Sequence, residues 1–195
     1  LLNFFISSPR SVEIRLAMGS STKCHFEKKE KDMPNNENDV DQSLSHDHHL
    51  SLRQVELSDY KNIAAIMDRV YSTWGGAWDY SQFQTMLRIF PEGQVCIVDN
   101  DVVVAAAFSV IVDYDQYGDK HTYDQITGNA HLTTHNPKGD VLYGVDVFVD
   151  PDYRDMRLGR RLYEARKEMC RNLNLRAIVA GGRIPGYNKH SEEMS

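Results

Sequence analysis

Four arginines, Arg154, Arg157, Arg160 and Arg161, crowd one short stretch, PDYRDMRLGRRLY. An apolar run, VLYGVDVFV, precedes them, and the chain turns at Asp150-Pro151-Asp152 before a segment that reads as a helix. Cations in the first turns of a helix oppose its dipole by ~0.3–1 kcal/mol each. The same helix start offers unpaired backbone N–H groups and a partial positive charge, which is an anion site. Gly159 lets a ligand approach the backbone there, and guanidinium groups pair bidentately with phosphate. On this reading the turn is built for a multiply charged anion such as a pyrophosphate. A second reading of the same residues is a solvated basic helix end, paired with Glu164, Glu168 and the acidic loop Asp150, Asp152 and Asp155. Spacing leaves both open.

Other residues with chemical potential are more scattered. His131 and His135 in HLTTH have zinc-like spacing but no following Glu and no helical context, so no metal site is expected there. His46, His48 and His49 fall in a polar stretch that carries no designed site. Cys24, Cys96 and Cys170 are odd in number and widely spaced, which gives neither a disulfide framework nor a metal pair. A reducing, cytoplasmic setting is the simplest reading.

The elements that must position these groups follow from pattern. The 195 residues suffice for one ordinary domain, and 41% hydrophobic with 26% charged residues is globular composition. A net charge of −6 argues against nucleic-acid binding. No run reaches the ~20 apolar residues of a membrane span, and LLNFFISS makes a poor signal peptide. The chain opens without methionine and reads as a fragment or a processed form. Residues 1–49 are polar and aperiodic over most of their length, which predicts a disordered, dispensable arm. From Leu50 the order is β-α-α-β-β-β-α-β, a mixed α/β (α+β) sheet flanked by helices. LSLRQVEL alternates as a strand, and Ser58 is the expected N-cap of a helix buried through Ile63, Ile66, Met67 and Val70. A second helix runs through DYSQFQTMLRIF to Pro91, and Asn100-Asp101 marks a tight hairpin between two strands. The Arg-rich helix carries an apolar stripe of Leu158, Leu162, Ala165, Met169 and Leu173, and LRAIVAGGRI is the last strand.

PDYRDMRLGRRLYEARK resembles the acyl-CoA-binding motif of the GNAT acetyltransferases, Gln/Arg-x-x-Gly-x-Gly/Ala after a valine-rich strand. Arg154 takes the first position and Gly159 the last, while Arg157 stands where the family usually has its first glycine. FPEGQVCIVD, IVDYDQYGDKHTYDQITGN, LYGVDVFVDPDYR and AGGRIPGY are similar to the N-terminal domain of two-domain proteins that carry a carbon–nitrogen hydrolase domain after it. The resemblance implies a GNAT-like acyltransferase domain over 50–195, truncated before the helix and hairpin that usually complete the fold. It also implies an attached hydrolase domain in the full-length protein. An incomplete sheet would leave a hydrophobic edge uncovered, which predicts instability or self-association.

For the chemistry, the resemblance implies acetyl-CoA as co-substrate, no metal, and a small-molecule or peptide amine as acceptor. Backbone groups of Val147, Phe148 and Val149 would hold the pantetheine arm like an added strand. The turn Arg154, Asp155, Met156, Arg157, Leu158, Gly159, Arg160 and Arg161 would cradle the pyrophosphate. Asp146 is a candidate general base or a structural carboxylate, and Tyr187 a candidate acid for the leaving thiolate or a packing residue. Trp74 and Trp78 in TWGGAW would wall the acceptor pocket or cap a core edge. Three functions stay open: an N-acetyltransferase; a non-catalytic acyl-CoA-binding or regulatory domain serving the hydrolase; or an interaction domain for an acidic partner.

Overall fold

The computed structural model describes residues 2–7, 14–16, 48–72 and 75–182. One seven-stranded sheet runs through them: β1 (Leu2–Ser7), β2 (Ile14–Leu16), β3 (Leu50–Gln54), β4 (Gln94–Asp99), β5 (Val102–Val112), β6 (Val141–Val149) and β7 (Ala177–Gly182), in the spatial order β2-β1-β7-β6-β5-β4-β3. All neighbours are antiparallel except β6 and β7, which are parallel and joined by helix α4 (Leu158–Asn172). Helices α1 (Tyr60–Val70) and α2 (Tyr80–Ile89) join β3 to β4, and the short α3 (Tyr123–Thr127) lies in the polar connection from β5 to β6. From Leu50 this is the order that the sequence predicts, with α3 added in the connection read as a polar stretch.

Local chemistry explains most boundaries. Asp79 caps α2, accepting from the Gln82 N–H at 2.8 Å while Gln82 returns a bond to the Asp79 N–H at 3.0 Å. Asn100 and Asp101 both take positive φ, 46° and 68°, the geometry of a primed hairpin turn. Ser58 is not the cap of α1. It lies inside a 3-10 turn, Leu57–Asp59, because Asp59 closes that turn by accepting from the Glu56 N–H at 2.8 Å and from Arg53 at 2.7 and 2.9 Å. A carboxylate held by a guanidinium outcompetes a hydroxyl for the role.

Helices α1 and α2 bury Ile63, Ile66, Met67, Phe83 and Met86 on one face of the sheet, against Phe108, Tyr143, Val145 and Phe148. Helix α4 covers the other face, with Leu158 and Leu162 on Val95, Ile97, Val104, Ala105 and Ala107. Alanines at the centre of β5 let the helix approach closely. The buried stripe of α4 is Leu158, Leu162, Arg166 and Cys170. Ala165 and Met169 are only half-buried and Leu173 is exposed, so the predicted stripe is displaced by one position at its C-terminal end. The helix also starts later than expected. Arg154 and Arg157 lie ahead of it, and Arg157 is its N-cap in a left-handed conformation.

Two strands fall within the segment expected to be an aperiodic arm. β1 comes from LLNFFIS, the one apolar run there, and pairs antiparallel with β7 from Leu2↔Gly182 to Ser7↔Ala177. The β7 edge is therefore paired rather than uncovered, which removes the reason for expecting self-association. Residues 17–47, with Cys24 and His46, lie outside the described residues. Among the described residues no helix is long and apolar enough to cross a membrane. Deleting residues 1–16 should strip hydrogen-exchange protection from the β7 amides that face β1, while β4 and β5 stay protected. Unchanged protection in β7 would show that β1 does not cover this edge.

Candidate active site

The site begins where two strands part. β6 and β7 pair only from Val141↔Ala177 to Gly144↔Ala180, after which β6 runs on for five residues, bonded among the described residues to β5 alone. On that free side Val147, Phe148 and Val149 present an open sheet edge, a template for an extended ligand.

The cause is a bulge. Phe108 pairs with Asp146 and Ser109 with Gly144, so Val145 is an extra residue in β6. Bulges bend a strand and increase its twist. This one also resets the side-chain alternation. Tyr143, Val145 and Phe148 face α1 and α2, whereas Val147 and Val149 pack toward α4. Asp146 thus turns to the α1 side, where Oδ1 accepts from the Tyr71 hydroxyl at 2.6 Å and from the Val147 N–H at 2.7 Å. Tyr71 sits edge-on to Phe148. Burial and then the Asp146 charge push the nearby Tyr123 phenol up. Trp78 is half-buried with its ring 4.8 Å from Phe108, and its carbonyl accepts from the Tyr60 hydroxyl at 3.1 Å. Trp78 therefore packs on the core beside the face that Asp146 lines. Trp74 and Tyr187 lie outside the described residues.

Arg166 holds the bulge. Its side chain is 1% exposed, and it donates to the Phe108 carbonyl at 2.7 Å, to Ser109 Oγ at 3.1 Å and to the Asp146 carbonyl. Burial pulls its pKa below the ordinary range, partly offset by Tyr163 and Asp146. A charge on an otherwise apolar stripe, four residues after Leu162 and four before Cys170, was the signal in the sequence.

Beyond Val149 the chain enters the arginine turn. Asp150 accepts from the Asp152 N–H at 2.9 Å, closing a 3-10 turn over Pro151–Tyr153. Asp155 and Arg157 adopt positive φ of 67° and 58°, a strained backbone for non-glycine residues. No side chain caps the first amides of α4. A Cβ built on Gly159 meets nothing within 4 Å, so the space over this first turn is open. Arg154, Arg157, Arg160 and Arg161 are exposed, and none of their side chains makes a hydrogen bond or ion pair with a described residue. Three of the five acids expected to neutralise them are bonded elsewhere. Asp150 and Asp152 bind Arg69 of α1, at 2.8 and 2.9 Å, and Glu164 binds Lys167 at 2.9 Å. Tyr153 is tied by its hydroxyl to Asp99 at 2.9 Å, and Asp99 also holds His48 at 2.6 Å.

The histidines of HLTTH serve the fold. His135 stacks on Phe90 and accepts from the Ile111 N–H at 3.4 Å, with burial lowering its pKa. His131 contacts the Asn129 carbonyl. Among the described residues no group of three His, Cys, Asp or Glu could hold a metal ion.

An open strand edge leading into an uncapped, arginine-lined helix start is the geometry that the sequence motif implied. Residues 61–194 match the acetyltransferase (GNAT) family. The chain belongs to that family. Two Bacillus subtilis (strain 168) proteins are similar to it. One is named "Probable hydrolase YhcX", 42% identical over 137 residues that make up 69% of this chain and 27% of that protein. The other is an uncharacterized N-acetyltransferase, YkwB, 33% identical over 118 residues, 60% of this chain and 52% of that protein. The chain thus spans about a quarter of the first and about half of the second. In fold it is similar to the loading GNATL domain of CurA from Lyngbya majuscula, with a TM-score of 0.64 and 23% identity over 73% of this chain and 69% of that one. It is also similar to the GNAT-like decarboxylase GphF in complex with isobutyryl-CoA, with a TM-score of 0.56 and 18% identity over 74% and 72% of the two chains. The GNAT fold expected from the sequence is therefore the fold found.

The role of Arg166 can be tested without substrate. Arg166→Ala would leave two carbonyls and a hydroxyl unsatisfied in a buried gap, at a cost of about 3 kcal/mol or more. Urea denaturation would measure it. A loss below ~1 kcal/mol would mean that water or a neighbour replaces the guanidinium.

Proposed function

We propose that this domain transfers an acetyl group from acetyl-CoA to an amine by direct attack. The observation that carries the reading is the continuity of two features, the edge of β6 beyond Gly144 that no described strand pairs and four exposed arginine side chains, unbonded among the described residues, around the start of α4. The pyrophosphate would bind the Arg154–Arg161 turn, through backbone N–H groups and guanidinium pairs. The pantetheine arm would lie along Val147–Val149 as an added strand.

Chemistry then needs an amine on the other side of the thioester. Asp146 is on the α1 face, within reach of a substrate lying against Tyr71 and Trp78. It would take the proton of the incoming ammonium. The amine nitrogen attacks the thioester carbonyl carbon, the C–S bond breaks, and CoA leaves as a thiolate that is then protonated. Positioning supplies much of the rate. Tyr187 is the proposed donor of that last proton, and Trp74 with Trp78 the walls of the acceptor pocket. The buried free thiols Cys96 and Cys170 suit a reducing, cytoplasmic compartment.

A second reading keeps the CoA site without catalysis, as a regulatory domain attached to a carbon–nitrogen hydrolase. What favours it is YhcX, a protein named as a hydrolase and about four times as long as the matched segment. Thiol release from acetyl-CoA with a panel of amines separates the two. Binding of CoA without amine-dependent thiol release would favour the regulatory domain.

Two sets of variants test the site itself. Gly159→Glu puts bulk and negative charge into open space over the first turn of α4, so it should abolish CoA binding by calorimetry while the melting curve is kept. Arg160→Glu should stabilise the free protein by a few tenths of a kcal/mol through the helix dipole and still weaken CoA binding; unweakened binding would end the anion-site reading. Asp146→Asn should lower kcat by ~10²–10⁴ with CoA affinity unchanged. Full activity in that variant would remove Asp146 as the base.

A further inference from the structure

The loop ahead of α4 sets acids beside the arginines. Asp150 and Asp152 lie within a few residues of Arg154 and Arg157, close enough along the chain to pair with them and to repel any pyrophosphate nearby. They pair with neither arginine, because both are held by one residue from another element. Arg69, in the last turn of α1, contacts both Asp150 oxygens at 2.8 and 3.1 Å through one nitrogen and Asp152 at 2.9 Å through another. A cation is favoured at that position in any case, since it faces the negative end of the α1 dipole. Asp150 is further fixed by the Asp152 N–H. Asp152 is the looser of the two, with its side chain 72% exposed.

We propose that Arg69 is a positioning residue for the cofactor site: by sequestering Asp150 and Asp152 it keeps Arg154 and Arg157 unneutralised and ready for an anionic ligand. This rests on the reading of the α4 turn as the pyrophosphate site. The loop has a second anchor, the Tyr153 hydroxyl on Asp99, which does not involve Arg69. Loss of Arg69 therefore releases two negative charges without releasing the loop. Freed of its partner, Asp152 swings to Arg154 or Arg157, and the ligand must then displace an internal ion pair and meet an added local negative charge.

The experiment is a charge-rescue cycle in the full chain, read by calorimetric titration with CoA. Arg69→Leu should weaken CoA binding about tenfold at low salt, and less at 1 M salt, where screening shortens to ~3 Å. Adding Asp152→Asn should return the affinity to within about twofold of the parent. A weakening that Asp152→Asn does not reverse would make Arg69 a structural strut and overturn the proposal, as would an Arg69→Leu variant that binds CoA like the parent. A second readout needs no ligand. In the free protein, NMR of the arginine side chains should show Arg154 or Arg157 newly paired in Arg69→Leu and unpaired again once Asp152→Asn is added. If the parent binds no CoA, the pyrophosphate reading falls. The NMR arm then still decides whether Arg69 keeps the acids from the arginines, and unchanged arginine signals would reject that too.

Discussion

One extra residue governs this structure. Val145 opposes nothing on β5, and from that point β6 bends away from β7. Two consequences are inseparable. The strand edge that an acyl carrier could use exists only because β7 no longer pairs with it. The carboxylate that could take a proton faces the α1 side only because the bulge reversed the alternation. A parting pair of strands in a protein interior exposes backbone carbonyls, and unpaired buried carbonyls are costly. Arg166 meets that cost with a planar fork of donors, reaching two carbonyls and a hydroxyl at once. An aliphatic side chain of equal volume would fill the gap and leave those acceptors bare. The price of a buried guanidinium without a bonded carboxylate is accepted at the one place where its geometry is needed.

Charge is arranged by the same economy of position. The chain is acidic overall, at −6, yet it keeps four arginines together on one turn. Proximity in sequence would pair them with Asp150, Asp152 and Glu164. Tertiary structure assigns the two aspartates to Arg69 instead, and Glu164 pairs with Lys167 one turn along α4. The turn is thereby left with four arginine side chains unbonded, strained backbone at Asp155 and Arg157, and, among the described residues, no side chain capping its amides. Each of these is unfavourable in the free protein, and one polyanion would answer both the charge and the open amides. That convergence separates the anion-site reading from a solvated basic helix end more firmly than the count of arginines does.

Much of the fold was legible because it rests on short-range rules. Asn100-Asp101 between two apolar runs can be little other than a hairpin, Asp79 with Gln82 is a reciprocal cap, and the apolar run from Val141 to Val149 marks a strand buried on both faces. The rest failed for identifiable reasons. In a strand apolar on both faces, an inserted valine leaves no trace in the alternation, so the bulge and the direction of Asp146 were invisible. Arg166 interrupts the apolar stripe of α4 and reads as noise unless one asks what a buried guanidinium would bond. Ser58 lost the capping role to Asp59 because Arg53, in β3 just before the turn, supplied the stronger partner. β1 was missed since its pairing with β7 spans almost the whole chain, and no local rule reaches that far.

The bulge also gives one strand two separate faces for ligands. In a regular strand successive side chains alternate between faces, and the backbone bonds to both neighbours. Past Gly144, β6 keeps its bonds to β5 and loses those to β7, so its free backbone edge belongs to whatever enters the cleft. Its side chains remain divided, with Val147 and Val149 packed toward α4 and Asp146 turned to Tyr71. A molecule bound along the edge would lie in the plane of the sheet, and a second molecule approaching Asp146 would come from above that plane. Two reactants held at right angles across one strand would meet at its bulge, the arrangement that the proposed direct transfer requires. An unbulged β6 would turn Asp146 toward Leu158 and Leu162, where a carboxylate would be buried without a partner. The packing of α4 and the chemistry of the α1 face thus impose the same register on the strand.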